Sequence, residues 1–268
     1  MNAIPETLPQ KIRAKYEVFG VPTTHIPTSR TTHAELLQIL ETIAPQIPNM
    51  PCQVVPTSFN PDDPQLRAFP RPLKWRWDSC ERMFRAFKTS GVLMRLPLFW
   101  QVEPALFAAG QAAGAPIFVN DQENMPVGAE AIRIANMDTV VTDSQDAVRF
   151  SSYLSGAKTQ FPASWIIVHP VSLDVWDIPA PAREEGTHVA QEVHLFPGVT
   201  LLEQCESLAE KKEPVFHASD AFQIETENSR TYVTSVTDEP FPLLRYELAL
   251  SIVAKETCSC GKPEYTRA

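Results

Sequence analysis

The sequence predicts an α/β protein in which a parallel sheet of βαβ units is followed by a small antiparallel β-rich subdomain. Between residues 92 and 168, short apolar segments alternate with amphipathic segments of helical period. Strands separated by helices of about 10–15 residues are typical of parallel βαβ units with right-handed crossovers. Past residue 220, short runs with a period of two residues are separated by polar turns, which indicates antiparallel strands.

The segment that precedes the sheet contains one strong helix signal. Residues 1–30 are rich in Pro and Thr and are predicted to form an irregular arm that lies on the body. Thr32 and Glu35 have capping-box spacing and predict the start of a helix. Four apolar residues then recur on one helix face: Leu36, Ile39, Leu40 and Ile43. The proline-rich stretch 45–72 is predicted to be an irregular connection.

The parallel sheet and its helices follow from apolar periodicity. Strands are predicted at residues 92–96, 116–120, 139–142 and 165–168. Helices are predicted to start at Asp78 and to span 104–114, 128–137 and 144–154, with Ser144 as the cap of the last. Apolar residues predicted to face inward in the first two helices are Trp77, Cys80, Phe84, Phe87, Leu106, Phe107, Ala109 and Ala113.

The last third of the chain predicts short strands. They fall at residues 222–226, 231–236, 243–247 and 250–254, with a polar turn at 227–230. The predicted organisation is therefore an arm, helix and proline-rich connection (1–72), an α/β core (73–170) and a β-rich subdomain (171–268).

Composition excludes several classes of function. The chain has 25 prolines and only 9 glycines, against average shares of about 5% and 7%. The glycines are scattered, so neither a P-loop nor a dinucleotide-binding fingerprint is present. The net charge of −9, without a stripe of Lys and Arg, argues against a nucleic acid partner. The N-terminus has no apolar signal segment, and prolines and polar residues interrupt the most apolar stretch, 96–119, so we expect a cytoplasmic protein without a membrane partner.

Cysteine spacing points to a metal. Five cysteines without a secretory signal favour metal binding or burial over a disulfide framework. Cys258 and Cys260 follow a predicted strand, and Cys205 and His217 lie upstream in the same β-rich segment. Together the four would form a Cys₃His site of the structural zinc type. The alternative is that Cys205 is a small buried apolar residue, that His217 is a satisfied surface histidine and that the terminal thiols are unordered.

Other combinations of potentially reactive side chains give only weak evidence of a catalytic site. No nucleophile elbow, zinc-protease motif or Ser/Lys pair is present. The acidic pairs Glu184 with Glu185, Asp62 with Asp63 and Glu225 with Glu227 are interpreted as solvated surface. An aromatic group of Phe99, Trp100 and Phe107 either lines an apolar pocket or belongs to the core.

Several motifs together resemble the adenylate-forming (AMP-binding) superfamily, and within it the phenylacetate-CoA ligase-like branch. Residues 241–246 (FPLLRY) are similar to the family's Pro-Leu-Ile-Arg-Tyr-Arg-Thr-Gly-Asp signature, and residues 233–236 lie where its preceding strand is expected. Residues 215–225 are similar to its His-x-x-x-Asp-x-Phe-x-x-Glu segment, and residues 197–205 to the stretch after its Tyr-Gly-x-Thr-Glu motif. The Cys-x-Cys-Gly at Cys258 resembles members that hold a structural zinc with an upstream Cys and His.

The resemblance implies the fold of the large N-terminal domain of these enzymes and a set of functional residues. Glu192 corresponds to the glutamate near magnesium, and Arg245 to the arginine of the signature, so these two are the candidate catalytic residues. The implied cofactors are a structural zinc ion and, in an active enzyme, ATP with Mg²⁺. The resemblance covers roughly residues 55–262 and ends where the family's small C-terminal domain, which carries the catalytic lysine, would begin.

Four nucleotide-contact positions depart from the family pattern. The phosphate-loop candidate, 57–61 (TSFNP), lacks glycine and the following lysine, and residues 169–172 (HPVS) replace the adenine-side Gly-Gly-Glu. Residues 188–192 (HVAQE) keep only the glutamate of Tyr-Gly-x-Thr-Glu, and Leu250 stands at the position of the ribose-binding aspartate.

These departures leave two hypotheses. The first is a degenerate, non-catalytic module that binds another protein or a small carboxylic acid. The alternative is an active ligase that forms an acyl-adenylate and receives its missing domain from a partner. The oligomeric state is left open.

Overall fold

The structure, a computed structural model, describes residues 7–26, 30–45, 52–63, 65–70, 78–97, 100, 103–173, 176, 178, 180, 186–211, 213–236 and 242–268. The helices are α1 (Thr7–Val18), α2 (His33–Ile43), α3 (Asp78–Ala86), α4 (Glu103–Ala113), α5 (Met125–Ala135), α6 (Ser144–Ala157) and α7 (Glu206–Lys211). The strands are β1 (Cys52–Pro56), β2 (Leu66–Pro70), β3 (Val92–Arg95), β4 (Ile117–Val119), β5 (Thr139–Asp143), β6 (Ser164–Pro170), β7 (His188–Phe196), β8 (Val199–Glu203), β9 (His217–Ala218), β10 (Phe222–Glu227), β11 (Arg230–Ser235), β12 (Tyr246–Leu248), β13 (Ile252–Thr257) and β14 (Pro263–Arg267).

A seven-stranded sheet forms the centre of the fold, in the order β4-β3-β5-β6-β7-β8-β9. The first five strands of this order are parallel, and β8 and β9 are antiparallel to their neighbours. Separate antiparallel pairings join β10, β11 and β12, and β13 with β14. The predicted fold class, an α/β parallel sheet followed by small antiparallel sheets, is confirmed.

Helices cover both faces of the parallel sheet, and its strands are therefore buried on both sides. Along β3, Met94 packs with α3 and α4, whereas the adjacent Leu93 packs with α5 and α6. The same alternation places Ile166 of β6 on the first face and Trp165 on the second. Parallel strands covered by helices on both faces have open carboxyl ends, and ligands of such sheets bind there.

Strand β7 lies in the middle of the sheet, although no strand is predicted for residues 188–196. It pairs in parallel with β6 from Ser164 opposite His188 to Pro170 opposite His194. Buried polar residues interrupt its apolar run, which is why the pattern did not predict it: Gln191, Glu192 and His194. The sheet therefore continues across residue 170, where the sequence analysis divides the α/β core from the β-rich subdomain.

The N-terminal region is more regular than predicted. The stretch 1–30 was predicted as an irregular arm, which is wrong for α1, whose Ile12 and Tyr16 are buried one turn apart. Pro9 is compatible with this helix because it lies in the first turn, where an amide hydrogen has no partner within the helix. The stretch 45–72 was predicted to be irregular, yet β1 and β2 form a hairpin whose prolines lie at strand ends.

Helix α2 agrees with its prediction in detail. The Thr32 hydroxyl accepts a hydrogen bond from the Glu35 amide, and the Thr32 amide donates to the Glu35 carboxylate, which completes the capping box. All four predicted core residues of this helix are buried. They join a second core formed with α1, the ends of β7 and β8, and the sheet of β10, β11 and β12.

Two smaller predictions are wrong. Phe107 was predicted to face inward but is 46% exposed, because the buried stripe of α4 follows Leu106 and Ala109. The cap of α6 is Asp143 rather than Ser144.

Trp77, Phe99, Glu184 and Glu185 lie outside the described residues. Within the described ranges, no helix is long and apolar enough to cross a membrane.

Candidate functional site

A cavity of about 850 Å³ opens at the carboxyl ends of the parallel strands. Its walls include residues that directly follow β3, β4 and β6 and the end of β5, together with the loop 58–61. The loop belongs to the segment 57–61, and Pro170 and Ser172 belong to 169–172, the segments that the sequence resemblance assigns to phosphate and adenine. The cavity therefore occupies the position at which an open α/β sheet binds its ligand.

The loop that should hold phosphate uses its own amide groups internally. The Thr57 amide donates to the Gln65 carbonyl, and the Asn60 amide donates to the Ser58 hydroxyl at 3.1 Å. The amides of Asp62 and Asp63 donate to the side chain and the carbonyl of Asn60. A phosphate cradle requires amide hydrogens that point at the ligand, and these four do not.

Two aromatic rings form an apolar part of the cavity wall. Phe59 from the loop and Trp100 meet edge to face with ring centroids 5.3 Å apart. Trp100 is nearly buried and lies 6.5 Å, centroid to centroid, from His194 of β7. One member of the predicted aromatic pocket, Trp100, thus lines the cavity.

A buried ion pair lies beneath the cavity. Arg95, the last residue of β3, is fully buried and donates to both carboxylate oxygens of Asp146 at 2.9 and 3.0 Å. Its guanidinium also donates to the Asn120 side chain and to the carbonyl of Gln122, and stacks 4.1 Å from the Phe150 ring centroid. Burial raises the pKa of Asp146, and Arg95 opposes this shift.

In the part of the chain that the structure describes, no unpaired cation lines the cavity. Asp143 caps α6 by accepting from the amides of Gln145 and Asp146 at 2.8 and 3.0 Å. A carboxylate of the chain therefore already occupies the helix N-terminus, where an anionic ligand would be attracted. Arg149 donates to Glu123 at 3.0 Å.

Gly128 of α5 leaves the space in which Arg95 lies. A Cβ at this position would lie 2.8 Å from Asn120 Oδ1 and 2.9 Å from Arg95 Nη1. We expect Gly128→Ala to destabilise the protein by about 1–3 kcal/mol in chemical denaturation, despite the higher helix propensity of Ala. Gly156→Ala in α6, where a Cβ meets open space, is the matched control and should be stabilising by up to about 1 kcal/mol. Equal effects of the two substitutions would contradict this interpretation.

The four predicted metal ligands converge at a second site, on the far edge of the sheet. The ligand atoms of Cys205, His217, Cys258 and Cys260 all lie within 4.8 Å of one another. Cys205 Sγ and Cys258 Sγ are 3.8 Å apart, and Cys260 Sγ lies 3.2 Å from His217 Nε2. Tetrahedral zinc with Zn–S bonds of about 2.3 Å places two sulfurs about 3.8 Å apart, so the donor set and its spacing fit zinc.

The surroundings of the cluster orient His217 and shift the pKa values of two of its thiols in opposite directions. His217 Nδ1 donates to the Pro263 carbonyl at 2.7 Å, so its Nε2 carries the free lone pair and faces the thiols. A hydrogen bond from the Cys260 amide lowers the pKa of Cys258 to about 6, whereas burial raises the pKa of Cys205 to about 11. The turn between β13 and β14 requires Gly261, whose φ is +85°, and the Gly261 amide donates to the Cys258 carbonyl.

Glu192 lies inside the central sheet and is 1% exposed. Its carboxylate accepts from His194 Nε2 at 2.9 Å and from the Thr200 hydroxyl at 3.1 Å, and Cys80 donates to its other oxygen at 3.5 Å. Burial and the charge of Glu192 raise the pKa of Cys80 well above its usual range. Glu192 is absent from the lining of the described cavity.

Arg245 precedes β12 in the three-stranded sheet. Its guanidinium contacts Glu227 at 2.7 Å and Glu225 at 3.5 Å and lies over the Tyr232 ring. The predicted catalytic residues thus lie in different parts of the fold: Glu192 on β7 of the central sheet and Arg245 beside the three-stranded sheet.

Comparison with solved structures identifies the class to which this fold belongs. The chain is similar to an acyl-CoA synthetase (AMP-forming)/AMP-acid ligase II-like protein from Dyadobacter fermentans, with a TM-score of 0.53, 8% identity, and coverage of 90% of this chain and 66% of that chain. It is also similar to the amide bond synthetase McbA from Marinactinospora thermotolerans, with a TM-score of 0.51, 10% identity, and coverage of 75% of this chain and 46% of that chain. For o-succinylbenzoate CoA synthetase from Bacillus subtilis in complex with AMP, the TM-score is 0.50, the identity is 9%, and the coverage is 81% of this chain and 49% of that chain. No family sequence profile and no curated protein sequence matches the chain.

The chain therefore has the fold of adenylate-forming enzymes, as its sequence motifs imply. It spans about half the length of McbA and of the Bacillus synthetase. At identities of 10% and below, the likeness is one of fold.

Proposed function

We propose that this chain is a degenerate adenylate-forming domain that acts as a non-catalytic binding module, with its ligand in the cavity and a structural zinc ion at the thiol cluster. The observation that carries the proposal is that polar groups at the expected phosphate position already have partners within the chain. The Asn60 and Asp62 amides donate to Ser58 and Asn60. Of the described arginines, Arg149 at the cavity and Arg95 beneath it are paired with carboxylates. A triphosphate would have to displace these internal partners, which costs more than binding to free donors.

The acidic lining supports the same proposal. Cavity carboxylates belong to Asp121, Glu123, Asp143 and Asp146. Among the described residues, Arg149 and the buried Arg95 stand against these four carboxylates, which is an excess of two negative charges. ATP carries several negative charges of its own, so this cavity repels it.

Zinc at the cluster would have a structural role. All four donors are protein side chains, so a tetrahedral ion would have no open position for water or substrate, which is the arrangement of structural zinc sites. The Cys-x-Cys-Gly turn supports placement near the phenylacetate-CoA ligase-like branch. Bound zinc would tie β13 and β14 to the ends of β8 and β9 through the chain's own thiolates and His217.

Nucleotide binding tests the proposal directly. With ATP and Mg²⁺ at about 5 mM, we expect no heat of binding in calorimetry and a shift in Tm below about 1 °C. We also expect no ATP–pyrophosphate exchange with a panel of aryl and acyl acids. An adenylating enzyme in the same assays provides the positive control. Acid-dependent exchange with any member of the panel would instead support the active ligase that needs a partner for its missing domain.

A further inference from the structure

The cavity combines an apolar aromatic wall with an excess of carboxylate. Phe59 and Trp100 contribute the rings, which meet edge to face in the cavity wall. Aromatic faces attract ammonium groups through the ring quadrupole, with an energy that rises when the cation is desolvated. A neutral wall of Leu96 and Pro97 adjoins them.

Two of the four cavity carboxylates have neutral hydrogen-bond donors only. Asp143 accepts from two backbone amides and from the Gln122 side-chain amide at 2.6 Å, and Asp121 accepts from the Glu123 amide at 3.0 Å. In the part of the chain that the structure describes, no Lys or Arg forms an ion pair with either carboxylate. Asp143 is nearly buried, so its charge is screened less than that of a surface acid.

We propose that the cavity binds a monovalent organic ammonium ion with an aromatic or other apolar body, held between the Asp143 and Asp121 carboxylates and the Phe59–Trp100 wall. This inference rests on the proposed binding role of the cavity and names the class of its ligand. The volume of about 850 Å³ is that of a site for a small organic molecule. The same charge excess disfavours the small carboxylic acid that the family resemblance implies, because a carboxylate would meet unpaired carboxylates.

Three probes of similar shape and different charge test the proposal: 2-phenylethylammonium, 2-phenylethanol and 3-phenylpropanoate. Calorimetry on the full chain at low ionic strength should show the ammonium binding at least about tenfold more tightly than the alcohol, and no binding of the carboxylate. Added salt should weaken only the ammonium.

Variants locate the site. Asp143→Asn removes the charge and keeps an oxygen that can cap α6, and Asp121→Asn changes an exposed side chain. Each should weaken the ammonium about five- to tenfold without changing the affinity of the alcohol. Glu130→Gln, an exposed acid on α5 outside the cavity, is the matched control and should change neither.

The outcomes separate this inference from the proposed function. Equal binding of all three probes, or preference for the carboxylate, overturns the ammonium inference and leaves a binding module. Absence of binding by all three also overturns it. Binding of ATP with Mg²⁺ together with pyrophosphate exchange overturns the proposed function itself. Tight ammonium binding that Asp143→Asn and Glu130→Gln weaken equally would place the ligand elsewhere and overturn the site.

Discussion

A Cys258→Ser variant is expected to lose its zinc and to unfold at a temperature about 8–16 °C below that of the wild-type chain. An ion present at a thousand times its Kd contributes about 4 kcal/mol to the free energy of unfolding, and one kcal/mol corresponds to about 2–4 °C in a domain of this size. Cys258 is the most suitable ligand to change because it is buried and contacts Cys205 across the site at 3.8 Å. Elemental analysis should find one zinc per wild-type chain and far less in the variant.

The control for this variant lies in the same turn. Ser259 is exposed and is not a ligand, and its hydroxyl lies 3.8 Å from Cys258 Sγ, so Ser259→Ala should keep the zinc and lower the Tm far less than Cys258→Ser does. A zinc chelator should lower the Tm of the wild type and of Ser259→Ala to nearly that of Cys258→Ser, and added Zn²⁺ should restore it in these two only. Wild-type protein without zinc, whose Tm does not respond to added Zn²⁺, would show that the cluster is not a zinc site.

The thiol cluster could be predicted from the sequence because its signal is chemical and needs no knowledge of pairing. Three thiols and one imidazole are scarce residues, and Cys258 and Cys260 are close in the chain. Their partner Cys205 lies 53 residues away and was selected by residue type alone. Helix α2 could be predicted for a similar reason, since its capping box and apolar face are local.

Strand β7 and the ion pair beneath the cavity could not be predicted because their physical cause is distant in sequence. Glu192 in a central strand accepts hydrogen bonds from Cys80, 112 residues away, and from Thr200 and His194. Arg95 was part of a predicted strand, and a charged residue in an apolar run is the signal that could have marked it. Its partner Asp146 is 51 residues away among many other carboxylates, so only the fold identifies the pair.

Breaking that ion pair from one side is expected to have the other large effect. In Arg95→Met, Asp146 stays buried and keeps the hydrogen bond that the Thr142 hydroxyl donates to it. The side-chain oxygen of Asn120 and the carbonyl of Gln122 lose the hydrogen bonds that Arg95 donates. Loss of one partner of a buried pair costs about 3–5 kcal/mol, because the other charge stays buried without compensation. Arg133→Met, which breaks the exposed pair with Glu130, is the matched control and should leave the free energy of unfolding nearly unchanged. Denaturant unfolding of the variants measures both values.

The pH dependence distinguishes an uncompensated charge from simple loss of packing. The pKa of Asp146 is already raised by burial, and removal of Arg95 should raise it further. A carboxyl whose folded-state pKa exceeds its unfolded value stabilises the fold below the unfolded pKa, near 3.8, and this contribution is lost as the pH rises through the folded pKa. Arg95→Met should therefore be less destabilised at pH 5 than at pH 8. The double variant Arg95→Met with Asp146→Asn should recover part of the loss at pH 8, whereas a pH-independent deficit without recovery would mean that Arg95 acts through packing alone.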